Sequence, residues 1–266
     1  MNRGGWAIAA GLIIACGVMR PAWAESAAPA VRVGVTRGVH ADILDEVKRV
    51  AAARGLAVDV IAFDDASRID AALAGGSIDA ASFEDAQRLS ATRAAKGYAL
   101  TAVAPTVTLP MALYSRKLKN LNELQPGATV ALPADPRGMA RALVLLQNDT
   151  LVTLREKAGL HATLRDVTGN RLALKFDALR RDRLHAALDS AAFVAIDSDD
   201  ATRMGLQPAR DSINLEDARS PYANVLTVRE ADRAKPWVAQ LVAAYHSDDV
   251  AHFILTRYQD SVRRPW

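Results

Sequence analysis

The chain has 266 residues, with 33 Lys and Arg against 30 Asp and Glu, for a formal net charge of only +3. So small a charge, with no block of basic residues, speaks against a nucleic-acid-binding surface. The lack of a long apolar segment after the N-terminus speaks against a membrane-spanning helix in the rest of the chain. The first predicted element is a leader. Arg3 gives a positive start, Trp6 to Met19 is an apolar run too short to span a bilayer, and Ala22-Trp23-Ala24 before Glu25 fits a small-x-small cleavage site. Residues 1–24 are therefore expected to be a signal peptide that exports the protein. The alternative reads Ile13-Ile14-Ala15-Cys16 as a lipobox, with Cys16 lipidated and the protein anchored. Cys16 is the only cysteine, so its loss with the leader leaves no disulfide or thiol chemistry. Loss of Arg3 and Arg20 lowers the net charge from +3 to about +1.

The remaining length suffices for two lobes, each with its own core. Val31 to Thr36 alternates as a strand, and Ile43, Leu44, Val47 and Val50 then recur at helical spacing until Gly55. Val58 to Phe63 reads as a strand, Ala66 to Leu73 as a short helix before Gly75-Gly76, Ile78 to Ser82 as a strand and Asp85 to Lys96 as a helix. This β-α-β-α order implies a mostly parallel sheet covered by helices. Leu100 to Ser115 is extended but interrupted by Pro105 and Pro110. A second series follows: strand Thr129 to Leu132, helix Met139 to Gln147, strand Ala173 to Phe176, helix Arg180 to Leu188 and strand Phe193 to Ile196. Tyr222 to Val228 is a further strand, and helices are expected at Pro236 to Tyr245 and Asp248 to Tyr258.

Five short segments carry a resemblance. VRVGVT (31–36), GVHADIL (38–44), GGSIDAASF (75–83), LPMALYS (109–115) and SPYAN (220–224) resemble the NlpA/MetQ family of methionine-binding proteins of ABC importers, in one register from about Val31 to the C-terminus. The resemblance implies an α/β, bilobal type II periplasmic-binding-protein fold with a ligand cleft between the lobes. Residues 25–117 would form the first part of lobe 1, 118–215 lobe 2, and 216–266 the part that returns to lobe 1. It implies a monomeric periplasmic binder of a small amino acid, methionine or a relative. An ABC permease with its ATPase would be the partner, and no cofactor or metal is expected. Many members of the family are lipoproteins, which adds weight to lipidation at Cys16.

The resemblance also implies site residues. Arg141, in the segment Asp135 to Leu143, stands in register with an arginine that pairs with the ligand α-carboxylate, and a guanidinium fork suits that group. The bland alternative is a solvated helix arginine, and Arg137 reads as a surface residue or helix-end contact. Ser82 to Leu89 aligns with the family's S-F-Q-H-x-P-Y-L, so Phe83 retains an aromatic ring, whereas Asp85 and Arg88 replace the histidine and tyrosine of the thioether cage. Phe83 fits a strand-end core position equally well, and Asp85 with Arg88 fits an exposed i,i+3 ion pair. Ala195 to Ala201 aligns with V-I-N-G-N-Y-A, placing Asp197 and Asp199 where asparagines hold the head group. These aspartates suit an ammonium or a more cationic ligand, or simply a helix N-terminus. Asn224 is expected to hold the head group, Tyr222 to pack at the hinge and His40 to face the cleft. An enzyme on the same fold is the competing class, but the chain has no G-x-S-x-G, Walker, G-x-G-x-x-G or H-E-x-x-H motif.

Overall fold

The computed structural model describes residues 29–266, so the expected leader, its cleavage site and Cys16 lie outside the described residues. In chain order the elements are strand β1 (Val31–Thr36), helix α1 (Val39–Ala53), β2 (Val58–Phe63), α2 (Ile69–Ala74), β3 (Ala80–Asp85), α3 (Ala86–Lys96), β4 (Leu100–Pro105) and β5 (Ala112–Tyr114). The second stretch comprises β6 (Thr129–Pro133), α4 (Pro136–Asn148), β7 (Val152–Leu154), β8 (Val167–Asn170), β9 (Lys175–Leu179), α5 (Arg181–Ala187) and β10 (Val194–Ile196). It continues with α6 (Ser198–Arg203), α7 (Pro208–Asp211) and β11 (Ser212–Leu215), and the chain ends with β12 (Asn224–Arg229), α8 (Pro236–Tyr245) and α9 (Asp248–Tyr258).

Local sequence explains the main elements. Val31, Val33 and Val35 alternate along β1 into one core cluster, where they meet Ile43, Leu44, Val47 and Val50 on the buried stripe of α1. The chain leaves that helix through Gly55 at φ 82°, a left-handed conformation that favours glycine. Helix α4 opens with Pro136 in its first turn, and the Asp135 side chain accepts from the Gly138 N–H. A Cβ on Gly138 would lie 2.6 Å from the Pro133 Cβ, so only glycine lets this turn sit on the end of β6.

Two five-stranded sheets result, in the orders β2-β1-β3-β12-β4 and β11-β5-β10-β6-β9, with β7 and β8 as a separate hairpin. Each sheet carries one reversed strand, β12 in the first and β5 in the second. Four of the five strands in each sheet thus run the same way, as the β-α-β-α order implied, and the reason for the one exception in each is topological. β5 and β12 enter their sheets directly from the opposite lobe and run against the β-α units already there. The chain crosses between Pro105 and Ala112, earlier than the expected boundary at 117, because the short β5 already belongs to the second sheet; the interruptions at Pro105 and Pro110 fall on the crossing. The return crossing lies between Leu215 and Asn224. Each sheet has a hydrophobic cluster on both faces, so each lobe has its own core.

Candidate functional site

Parallel strands that feed helices leave strand carboxyl ends and helix N-termini on one edge of a sheet, where unpaired N–H groups collect. Those edges of the two lobes face each other across a cavity of about 560 Å³, a size suited to a small ligand. Thr36, Arg37 and Gly38 line it from the end of β1, and Phe83, Glu84 and Asp85 from the end of β3. Arg137 and Arg181 come from the starts of α4 and α5, and Asp197 from the end of β10. All eight expected site residues reach this cavity: His40, Phe83, Asp85, Arg88 and Asn224 from the first lobe, Arg141, Asp197 and Asp199 from the second. An adjoining cavity of about 430 Å³ shares Ser198, Asp199 and Thr202.

Arg141 is no solvated helix arginine. Its side chain is only 11% exposed, and its Nε donates to Glu216 Oε2 at 3.0 Å while Nη2 donates to the Leu109 carbonyl at 2.8 Å and to Glu216. Glu216 is itself buried and also accepts from the Met111 N–H at 3.0 Å and the Ser220 hydroxyl at 2.7 Å. Arg141 thus ties both crossing segments to α4, and one edge of its fork is already filled by a protein carboxylate. Only Nη1 has no partner among the described residues.

Asn224 sits at the start of β12, where its amide nitrogen lies 3.2 Å from His40 Nε2 and 3.4 Å from the Phe83 carbonyl. Donation to both leaves the amide oxygen as the group that can serve a ligand. An Nε2 that accepts requires the neutral His40 tautomer with its proton on Nδ1, an atom with no partner. Burial pushes the His40 pKa down from 6.5 to about 4, in agreement with that neutral form. The folded state then lacks a proton that the unfolded chain binds below pH 6.5. Its contribution to stability is complete above 6.5 and is lost as pH falls towards 4, by up to about 1.4 kcal/mol per pH unit. His40→Gln keeps an acceptor for Asn224 but does not titrate. Urea unfolding between pH 7 and 4.5 should therefore show a shallower acid loss in this variant, whereas equal slopes would exclude the buried neutral histidine.

Asp85 and Arg88 do not form the exposed ion pair expected of their spacing. Asp85 is buried, and its carboxylate accepts from the Gln87 and Arg88 N–H groups at 3.0 Å as the cap of α3. Its ionic partner is Arg137 on the other lobe, which also donates to Gln87 Oε1 at 3.0 Å. Arg137 is therefore a helix-end contact, as one of its expected readings had it, but one that joins the start of α4 to the cap of α3 across the cleft. The Arg88 guanidinium lies 3.9 Å from Glu84 and is largely exposed. Tyr222 is buried with its ring 5.1 Å from the Arg137 guanidinium carbon and 4.9 Å from that of Arg141, so it belongs to the cleft as well as to the hinge.

Arg181 is a site residue that sequence reasoning missed. It donates to Asp135 at 2.9 Å and Asp200 at 2.7 Å, and pairs with Asp197. Burial acts to raise the Asp197 carboxyl, but Arg181 outweighs it and holds the group below its usual range. Asp197 also caps α6, as the bland reading anticipated. Asp199 is exposed on the cleft wall with no hydrogen-bonding partner among the described residues. An arginine in the first turn of a helix opposes the dipole, the one sequence signal that Arg181 needs carboxylate partners. Phe83 lines the cavity and also packs on the Ile69, Leu73 and Ile78 cluster. The next residue, Glu84, is buried and faces a second buried carboxyl, Asp70. Burial and the neighbouring Asp70 push the Glu84 pKa up to about 8. No cluster of metal-ligating residues occurs among the described residues.

Comparison with known proteins gives one consistent set of matches. The sequence profile of the NlpA lipoprotein family matches residues 31–266. The chain is 42% identical over 157 residues to the D-methionine-binding lipoprotein MetQ of Escherichia coli K12, covering 58% of each protein. It is 38% identical over 171 residues to outer membrane lipoprotein 3 of Mannheimia haemolytica, covering 64% of this chain and 65% of that one. The chain spans less than two thirds of the length of these curated relatives. Among solved structures, a nutrient-binding protein from Burkholderia cenocepacia bound to methionine superposes with a TM-score of 0.70 at 35% identity, over 89% of this chain and all of that one. A periplasmic substrate-binding protein of an ABC transporter from Coxiella burnetii gives 0.71 at 37% identity, over 88% and 99%.

Proposed function

This chain belongs to the NlpA lipoprotein family, and from that premise we propose that it is the substrate-binding protein of an ABC importer. It closes on a small zwitterionic amino acid, methionine or a relative, and presents it unchanged to a permease and its ATPase. The observation that carries the reading is the disposition of unfilled groups around one cavity. Arg141 Nη1 offers a cationic donor to an α-carboxylate, while Asn224 Oδ1 and the Asp199 carboxylate offer acceptors to an ammonium. Opposed lobes suit capture by closure, because a ligand between them is buried as they meet. Export through the leader, with cleavage after Ala24 or lipidation at Cys16, places this work outside the cytoplasm. The lobes we assign are residues 29–105 with 224–266, and residues 112–215.

Thermal unfolding of ligand-stripped protein in the presence of single amino acids tests the reading. A ligand at one hundred times its dissociation constant adds about 2.7 kcal/mol of stability. At least one amino acid should therefore raise the midpoint clearly and be recovered intact by mass spectrometry. Stabilisation by none of them, or conversion of the ligand, would sink the proposal.

A further inference from the structure

The side chains joining the two ends of the cleft occur in a fixed order. Tyr222 lies against the guanidiniums of both Arg141 and Arg137, Arg137 pairs with Asp85, and Asp85 caps the turn that bears Arg88. Arg141, Tyr222, Arg137 and Arg88 line one cavity, so a carboxylate held at Arg141 leaves the other three around the space open to the ligand side chain. Donors around this space lack acceptors. The Tyr222 hydroxyl is only 2% exposed as part of its residue and has no partner among the described residues. Arg137 has committed Nη1 to Gln87 and Nη2 to Asp85, but its Nε to nothing. Among the described residues the Arg88 guanidinium has one acid near it, Glu84, at 3.9 Å and beyond hydrogen-bond reach. Burial and Asp70 push that carboxyl up to about 8, so it supplies little negative charge at neutral pH. A thioether sulfur is a weak acceptor and would leave these donors unsatisfied as the cleft closes.

We propose that the side-chain end of this cleft selects an amino acid whose side chain ends in an acceptor oxygen, as a carboxylate, amide or sulfoxide, over methionine, with Arg88 and Tyr222 reading that oxygen. The inference rests on the amino-acid-binding reading above and narrows its ligand class. Calorimetric titration of ligand-stripped protein with the twenty amino acids and methionine sulfoxide tests it. The best oxygen-terminated ligand should bind at least tenfold more tightly than methionine, and its identity distinguishes carboxylate, amide and sulfoxide. Arg88→Met and Tyr222→Phe should each reduce that ratio threefold or more. Arg88 is largely exposed and Tyr222→Phe removes a single unpaired oxygen, so unfolding midpoints close to the parent's are expected and show that binding alone has changed. Tightest binding of methionine, or of any amino acid without a side-chain oxygen, overturns this inference alone, as does an unchanged ratio in both variants. Heat from no member of the panel overturns the amino-acid reading and this inference with it.

Discussion

Arg141→Met should lower folding stability by about 3 kcal/mol and weaken amino-acid binding by about 2–5 kcal/mol, but the two losses should separate in a second variant. The stability loss arises because Glu216, 3% exposed, would keep its charge in a buried site without its cation. Breaking a buried pair from one side typically costs about 3–5 kcal/mol. The Met111 N–H and Ser220 hydroxyl still serve the carboxylate, so the lower end of that range applies. Arg141→Met combined with Glu216→Gln removes both charges and should restore most of the stability, measured by urea unfolding. Binding should not return, because the ligand carboxylate still lacks its donor, a loss on the order of 2–5 kcal/mol. Recovery of both properties together would mean that Arg141 acts only as a hinge tie. Failure of the double variant to regain stability would mean that the Leu109 carbonyl contact matters more than the ion pair.

Glu84→Gln should stabilise the protein increasingly as pH rises. The folded-state carboxyl titrates at about 8 against an ordinary 4.5, because it is buried and faces Asp70. The folded protein therefore holds a proton that the unfolded chain has released at any pH between those values. Its contribution is fully favourable below 4.5 and is lost progressively up to about 8, at up to about 1.4 kcal/mol per pH unit. Glutamine keeps the shape and offers an amide donor to Asp70 at every pH. The gap between variant and parent, taken from urea unfolding at pH 5, 6.5 and 8, should widen steadily. Parallel curves would show that Glu84 ionises normally in the fold.

Periodicity made the helices the most legible part of the sequence. Both C-terminal helices have the expected ends, since Pro236 in a first turn and the Ser247 cap are local signals. The crossings were harder to read, because β5 is three residues long and only its cross-sheet partners distinguish it from the preceding extended chain. The cleft itself was legible through family register, and all eight residues meet there. Their pairings were not, because Arg141 with Glu216 and Arg137 with Asp85 join residues 75 and 52 positions apart. Helical i,i+3 spacing suggested Asp85 with Arg88, yet the N-cap geometry of α3 turns that carboxylate to the backbone and to the opposite lobe instead. Arg181 gathers three aspartates from two helix starts, Asp135 ahead of α4 and Asp197 with Asp200 at α6, a convergence that no spacing rule encodes.

A crystal structure of the protein with its tightest-binding amino acid tests the central claim most directly. The account predicts one ligand between the lobes, its carboxylate within hydrogen-bond distance of Arg141 Nη1 and its ammonium on Asn224 Oδ1 or Asp199. A ligand bound elsewhere, or one in the cleft that reaches neither Arg141 nor Asn224, would contradict it.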